Sequence, residues 1–286
     1  MTKRFTLLAI DAQNDFCDIP DSELPTRGQS GNVMYRPALP VSGAHRDMQR
    51  LAEFVRRAGD RIEGIVATLD SHNHVGIERV TFWMDSTGAE LAPYTMVTAA
   101  DVRSGKYLPR RVELTSKVLS YLEALEASPG RHVHMVWPVH CEIGTWGAAL
   151  HDDIRGAFND WERRHFSIVA KVTKGSNPFV EHFSIFRAEV QDPLDPSTQL
   201  NTGLIARLDQ TDHILIAGEA GSHCVKRSLE DLLANLPSSN LAKVIVLTDC
   251  ISPVAGFEST WSQFLADISS QGVALCSSTD LIPRMI

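Results

Sequence analysis

The sequence predicts an α/β fold: a Rossmann-like three-layer sandwich with a mostly parallel sheet and helices on both faces. Three observations point there. Short apolar runs alternate with stretches of helical periodicity, strand then helix, along most of the chain. A reactive side chain follows each of five such runs, at the edge where parallel sheets bind ligands. The chain has 286 residues, 43% hydrophobic and 22% charged, which is enough for a large α/β core.

The elements follow in order. Phe5 to Ile10 is an apolar run that reads as the first strand. Met48, Leu51, Ala52 and Val55 recur at helical spacing, and Ile62 to Leu69 is the second strand. The stretch Val75 to Pro109 has mixed polarity and no helical period. It reads as an insertion of loops and a hairpin, too short for a domain of its own. Leu119, Leu122 and Leu125 mark a helix ending near Pro129-Gly130. His132 to Val136 is the third strand, Ala148 to Arg163 a helix, and Ser167 to Val172 the fourth strand. Gln191 to Thr202 holds Pro193 and Pro196 and reads as a surface loop. Ile214 to Ala217 is the fifth strand. Val225, Leu229, Leu232, Leu233 and Leu236 form one face of the helix after it. Val244 to Leu247 is a strand, and the last helix lies around Trp261 to Ile268.

Bulk properties narrow the function. The net charge of -8 leaves no basic excess to neutralise phosphates, so nucleic acid is not expected as a partner. No apolar run is long enough to cross a bilayer. The start, Met1-Thr2-Lys3-Arg4-Phe5, leads straight into a strand without the pattern of a secretory signal. Five widely spaced cysteines, an odd number with no CxxC pair, suit a reducing cytoplasm better than a disulfide framework.

The chemistry gathers at strand ends. Cys224, in Gly218-Glu219-Ala220-Gly221-Ser222-His223-Cys224, is placed at the first turn of a helix after a strand. There the free N–H groups and the helix dipole favour a thiolate nucleophile. Asp11 ends the first strand, Asp70 the second, His140 follows the third and Lys174 the fourth. Asp70 and His72, two residues apart on an extended strand end, point the same way. A carboxylate with two imidazoles suits zinc, iron or manganese and leaves positions open for water and substrate.

These segments resemble the isochorismatase-like cysteine hydrolases. Asp11-Ala12-Gln13-Asn14-Asp15-Phe16 resembles their first signature. Trp137-Pro138-Val139-His140-Cys141 with Gly144-Thr145-Trp146-Gly147 is similar to the nicotinamidase form of the next. Lys174-Gly175 with Phe183-Ser184-Ile185-Phe186 resembles the lysine segment, and Ala220-Gly221-Ser222-His223-Cys224-Val225 the nucleophile segment. The resemblance implies one isochorismatase-like hydrolase domain over 1–286, with an insertion near 75–110. It implies a triad of Asp11, Lys174 and Cys224, in which Cys224 attacks an amide carbonyl. Asp11 moves the proton, Lys174 favours the charged forms, and the product leaves through a thioester. The amides of Ala220 and Cys224 would hold the oxyanion beside a cis Glu219–Ala220 bond.

By the same resemblance, Asp70, His72 and His140 hold a divalent metal, zinc first, with iron or manganese as alternatives. The metal would grip the pyridine nitrogen of nicotinamide. Phe16, Trp137 and Phe183 match pocket positions and would sandwich a flat ring. Three departures bear on the substrate, the first being an insertion longer than in small nicotinamidases. A further family histidine falls at Gly76 here, with His74 nearby, and the usual Thr-Asp pair before the nucleophile is Gly221-Ser222. The expected function is a metal-containing amidase releasing ammonia from nicotinamide or a related small amide. The alternatives are a hydrolase of another small substrate, isochorismate included, and a non-catalytic binding relative. Expected partners are the small amide and further copies of the chain. Cys17, Cys141, Cys250 and Cys276 read as structural. His132, His134 and His223 read as surface or hydrogen-bonded residues.

Overall fold

The computed structural model describes residues 3–27, 33–128 and 132–285. Twelve strands occur among them: β1 Phe5–Ile10, β2 Thr26–Arg27, β3 Val33–Met34, β4 Ile62–Asp70, β5 Trp83–Asp85, β6 Met96–Val97, β7 Tyr107–Pro109, β8 His134–Met135, β9 Ala170–Lys174, β10 His213–Gly218, β11 Val244–Leu247 and β12 Ala274–Cys276. The helices are α1 Ala44–Ala58, α2 Ala99–Arg103, α3 Thr115–Ala127, α4 Asp152–His165, α5 Thr202–Asp209, α6 Lys226–Asn235, α7 Glu258–Ser270 and α8 Ser278–Met285.

Six strands form one parallel sheet in the order β12-β11-β10-β1-β4-β9, with helices on both faces. The period of two in β1 shows why this layering is stable. Phe5, Leu7 and Ala9 face one side, with α1, α4 and α8, while Leu8 and Ile10 face the other, with α5, α6 and α7. Each fully buried leucine or isoleucine side chain is worth about 1.5–3 kcal/mol against leaving it in water. From β1 the chain moves outward one way through β4 to β9, and from β10 the other way to β12. The order therefore reverses between β1 and β10, and a crevice opens beyond their carboxyl ends. The two strands touch closely there. A Cβ on Gly218, at φ 118°, would lie 1.8 Å from the Ile10 carbonyl oxygen, so only glycine fits.

Several elements differ from the sequence reading. The run His132 to Val136 does not join the central sheet. Only His134–Met135 is extended, and it pairs antiparallel with β6. The place beside β4 is taken by β9, which runs in register with it from Val66↔Ala170 to Asp70↔Lys174. The insertion is also more ordered than expected. β5 pairs β7, α2 carries a Thr98–Asp101 capping box, and Ile77, Phe82, Trp83 and Val102 bury against Val118, Tyr121 and Leu122 of α3. The loop reading of 191–202 holds up to Thr202, where α5 begins with Asn201 capping the Leu204 amide. The helix read from Ala148 starts instead at Asp152, capped by His151. The chain end adds β12 and α8, which the sequence reading did not separate. The Pro129-Gly130 stop lies outside the described residues.

Candidate active site

The ends of β1, β4 and β9 deliver Asp11, Asp70 and Lys174 to the crevice, and the turn after β10 delivers Cys224. Asp11 follows β1 with φ 44° and is fully buried. Its amide donates to Thr68 Oγ1 at 3.0 Å, and Thr68 Oγ1 donates back to Asp11 Oδ1 at 2.6 Å. That clamp aims the other oxygen, Oδ2, at Lys174 Nζ, 3.0 Å away. Lys174 ends β9 directly beside Asp70, the last residue of β4. Its ammonium also touches Asp70 Oδ1 at 2.9 Å and the His182 carbonyl at 3.0 Å, and it stands 3.6 Å from Cys224 Sγ. The sequence-predicted trio is thus brought together around one buried cation.

Cys224 does not sit in the first turn of an α-helix. It lies in a π-helical turn, Gly221–Val225, that feeds α6. The Gly221 amide donates to the Ser252 carbonyl, and the His223 and Val225 amides donate to the Ala220 carbonyl. The Glu219–Ala220 bond is cis. The thiol is not acidified as a helix start would imply. Burial raises it well above the ordinary cysteine value, Lys174 opposes the rise, and Asp11 and Asp70 add to it. Asp11 is raised as well, chiefly by burial, with Lys174 pulling it down. A neutral thiol facing a basic carboxylate is a proton donor with its acceptor.

The second group adjoins the first through Asp70. His72 Nε2 lies 2.9 Å from Asp70 Oδ1, and His140 Nε2 lies 3.4 Å from Asp70 Oδ2. The three donor atoms lie within 4.8 Å of one another, and all three residues are buried. Each imidazole is held by its far nitrogen. His140 Nδ1 sits 2.8 Å from the Pro138 carbonyl, and His72 Nδ1 sits 2.9 Å from the Gly175 carbonyl and 3.0 Å from Glu78 Oε1. A proton held at Nδ1 leaves the Nε2 lone pair free to ligate. The cradle is tight: a Cβ at Gly175 would lie 2.6 Å from His72 Cε1 and 3.0 Å from Asp70 Oδ1.

The electrostatics of this pocket call for a cation. Burial pushes His72 down, but Asp70 and Glu78 outweigh it and bring it to about 9. Burial raises Asp70, yet His72 and Lys174 outweigh that and hold it well below its usual range. His140 is pushed down by burial and stays neutral. Glu181 is pushed up to about 8 by burial and by the neighbouring Glu78. One buried carboxylate, one neutral imidazole in His140 and a second, His72, that would give up its proton on ligation form a donor set that fits a divalent metal. His74 stands apart, 63% exposed and paired with Glu142.

The pocket aromatics arrange differently from a sandwich. Phe16, Trp137 and Phe183 line one small cleft with Asp70, His140 and Cys224. Trp137 and Phe183 meet edge to face at 89°, and Phe16 tilts against His140. The first two form a corner, not two parallel faces.

No family model and no curated protein matches the sequence. Solved structures match in fold. An Acinetobacter baumanii nicotinamidase/pyrazinamidase is 19% identical, over 97% of this chain and 97% of its own, with a TM-score of 0.61. A Pyrococcus horikoshii pyrazinamidase in complex with zinc is 18% identical, over 96% and 98%, with a TM-score of 0.51. An isochorismatase family protein of Desulfovibrio vulgaris is 16% identical, over 99% of each chain, with a TM-score of 0.53. This chain has the isochorismatase-like fold.

Within this fold the sequence reading missed several supporting groups. Thr68 positions Asp11. Gln13 bridges β1 to β4 by accepting from the Asp70 amide at 2.7 Å and donating to the Asp70 carbonyl at 2.8 Å. Glu78, paired with Arg79, holds His72. Gln13 lies inside the first signature, so the motif contained it. Glu78 lies in the insertion and carries no local signal. His223 is a wall of the cleft, in edge-to-face contact with Trp137 at 5.3 Å. All five cysteines are free, and burial raises the thiols of Cys17, Cys141, Cys250 and Cys276.

Proposed function

We propose that this protein is a cysteine amidase that hydrolyses nicotinamide or a related small amide to the acid and ammonia. The observation that carries the reading is Lys174. One buried ammonium contacts Asp11, Asp70 and Cys224, joining a nucleophile–base pair to a metal-ligating trio.

The chain's residues divide the work as follows. Asp11 takes the proton of Cys224 as sulfur bonds to the amide carbon. The carbonyl oxygen becomes an oxyanion between the amides of Ala220 and Cys224. Asp11 passes its proton to the amide nitrogen, the C–N bond breaks, and ammonia leaves a thioester on Cys224. Asp11 then takes a proton from water as the hydroxyl adds to the thioester carbon. The C–S bond breaks and the thiol regains its proton. Lys174, raised well above its ordinary value by Asp11 and Asp70 despite burial, stays charged throughout. Asp70, His72 and His140 would hold a divalent metal, zinc by analogy with the zinc-bound pyrazinamidase, with iron or manganese as alternatives. Such an ion supplies a Lewis-acid anchor for a ring nitrogen or a bound water. Phe16, Trp137 and Phe183 shape the room left for the ring.

Among the described residues no helix is long and apolar enough to cross a membrane. A cytoplasmic, homo-oligomeric enzyme acting on a free small molecule is part of the proposal. The test is ammonia release from a panel of small amides by the metal-loaded protein and by Cys224→Ala. Turnover by the first alone supports the reading, and equal turnover by both refutes it.

A further inference from the structure

The cleft beside Cys224 is small, about 30 Å³. A second cavity of about 270 Å³ shares Trp137, Glu181, Phe183 and His223 with it, while Cys224 and His140 line only the first. The two spaces share an aromatic wall, in which His223 packs on Trp137 at 5.3 Å and on Phe183 at 5.5 Å, with Phe257 on its other side at 4.8 Å.

The second cavity is apolar in its walls. Met96, Val133, Met135 and Phe257 line it. Met96 is 55% exposed and Val133 38% exposed, an unusual display for a methionine and a valine on adjoining segments. The cations at its margin are already engaged. Lys226 bonds to Glu230 at 2.6 Å, and Arg227 bonds to Glu189 and Glu230. The cavity therefore does not ask for an anionic ligand. Two buried ring nitrogens in its walls lack a hydrogen-bond partner, Nε1 of Trp137 and Nε2 of His132, and the Glu181 carboxyl lines it as well. Trp137 is 4% exposed, and its indole N–H has no acceptor among the described residues. A buried donor without a partner is costly, and an acceptor on a ligand would satisfy it.

We propose that the substrate is an aryl amide whose ring carries a neutral, apolar arm with an ether or carbonyl oxygen near the ring. The carboxamide reaches Cys224 through the small cleft, and the arm occupies the cavity between Met96, Val133, Met135 and Phe257. This rests on the amidase reading and adds the substrate class to it.

The test is a series of benzamides carrying n-alkyl ether chains of increasing length at the meta or para position, followed by ammonia release. Each methylene that enters the cavity raises kcat/KM about three- to fourfold, until the space is full. Thr260→Trp and Val133→Trp fill the cavity from two sides, one from an exposed helix position. In both, the preference for long chains collapses by tenfold or more while benzamide itself turns over as before. Calorimetry of the matching alkoxybenzoates on Cys224→Ser reads the cavity without any turnover. Benzamide hydrolysis with no dependence on chain length in either series overturns the inference and leaves the amidase reading standing. Chain-dependent binding with no amide hydrolysed refutes the amidase reading and keeps the cavity assignment. A change of oligomeric state in Val133→Trp with chain preference intact makes the rim a contact between copies, and also overturns it.

Discussion

Replacing Lys174 by methionine removes one charge and little volume from the centre of the site. The lysine stands 3.6 Å from Cys224 Sγ and 3.0 Å from Asp11 Oδ2. At an effective dielectric of about 20, a unit charge at the first distance is worth roughly 4–5 kcal/mol, or about three pKa units on the thiol. The Cys224 thiol, already raised by burial, rises further in the variant. Alkylation requires the thiolate, so iodoacetamide labelling of Cys224 at pH 8 should slow by about 10²–10³-fold. Asp11 loses the same cation, so its carboxyl, already raised by burial, rises further. The variant also leaves Asp11 and Asp70 buried without their shared partner, at a cost of about 3–5 kcal/mol in urea unfolding near pH 8. That loss should shrink as pH falls and the carboxylates take up protons. Labelling is followed by mass spectrometry against pH, with the other thiols as internal references. An unchanged pH profile at Cys224 in a folded variant refutes the role assigned to the lysine.

Three further outcomes follow. Asp11→Asn cannot accept the thiol proton, so amide turnover should fall about 10²–10⁴-fold in stopped-flow acylation, while metal content stays unchanged; loss of metal with it would merge two sites held here to be distinct. His72 sits at about 9 beside Asp70 and Glu78, so a metal must displace its proton. Apparent zinc affinity should rise about tenfold per pH unit up to about pH 9 in chelator competition, and a flat profile from pH 6 to 8 contradicts the ligand set. His134 is pushed down to about 4 by burial and donates to the Ile77 carbonyl, so the folded state holds it neutral while the unfolded chain protonates below about 6.5. Stability should fall as pH drops from about 6.5 to 4, and His134→Gln should flatten that slope by about 1.4 kcal/mol per unit, an unaltered slope in urea titrations being the contrary result.

The sequence carried the fold where the pattern was strong. β1, β4, β10 and β11 are short, nearly continuous apolar runs buried on both faces, and their alternation with helical patterns implies a parallel sheet. The failure at His132 to Val136 has a clear cause. An apolar run marks extended backbone but not its partner, and β9 holds the free edge of β4 by pairing Asp70 with Lys174. The insertion was illegible because its order depends on contacts with α3, many residues later, and not on its own periodicity. At the site, the placement was legible, since Asp11, Asp70 and Lys174 fall at the ends of strands along one sheet edge. The electrostatics did not. A helix start promised an acidic Cys224, but the residue lies in a π-helical turn and its burial raises the thiol, which no local motif encodes. Thr68 and Glu78 act only through hydrogen bonds across the chain, to Asp11 and His72, so neither announces itself.

The central claim is a covalent acyl intermediate on Cys224, and rapid quench of the metal-loaded protein with nicotinamide or benzamide tests it directly. Intact and peptide mass spectrometry should show the mass of the acyl group on the peptide holding Cys224, appearing before steady-state ammonia release and absent from Cys224→Ala. Ammonia release at the wild-type rate by Cys224→Ala, or an acyl group found on Cys141 instead, would contradict it.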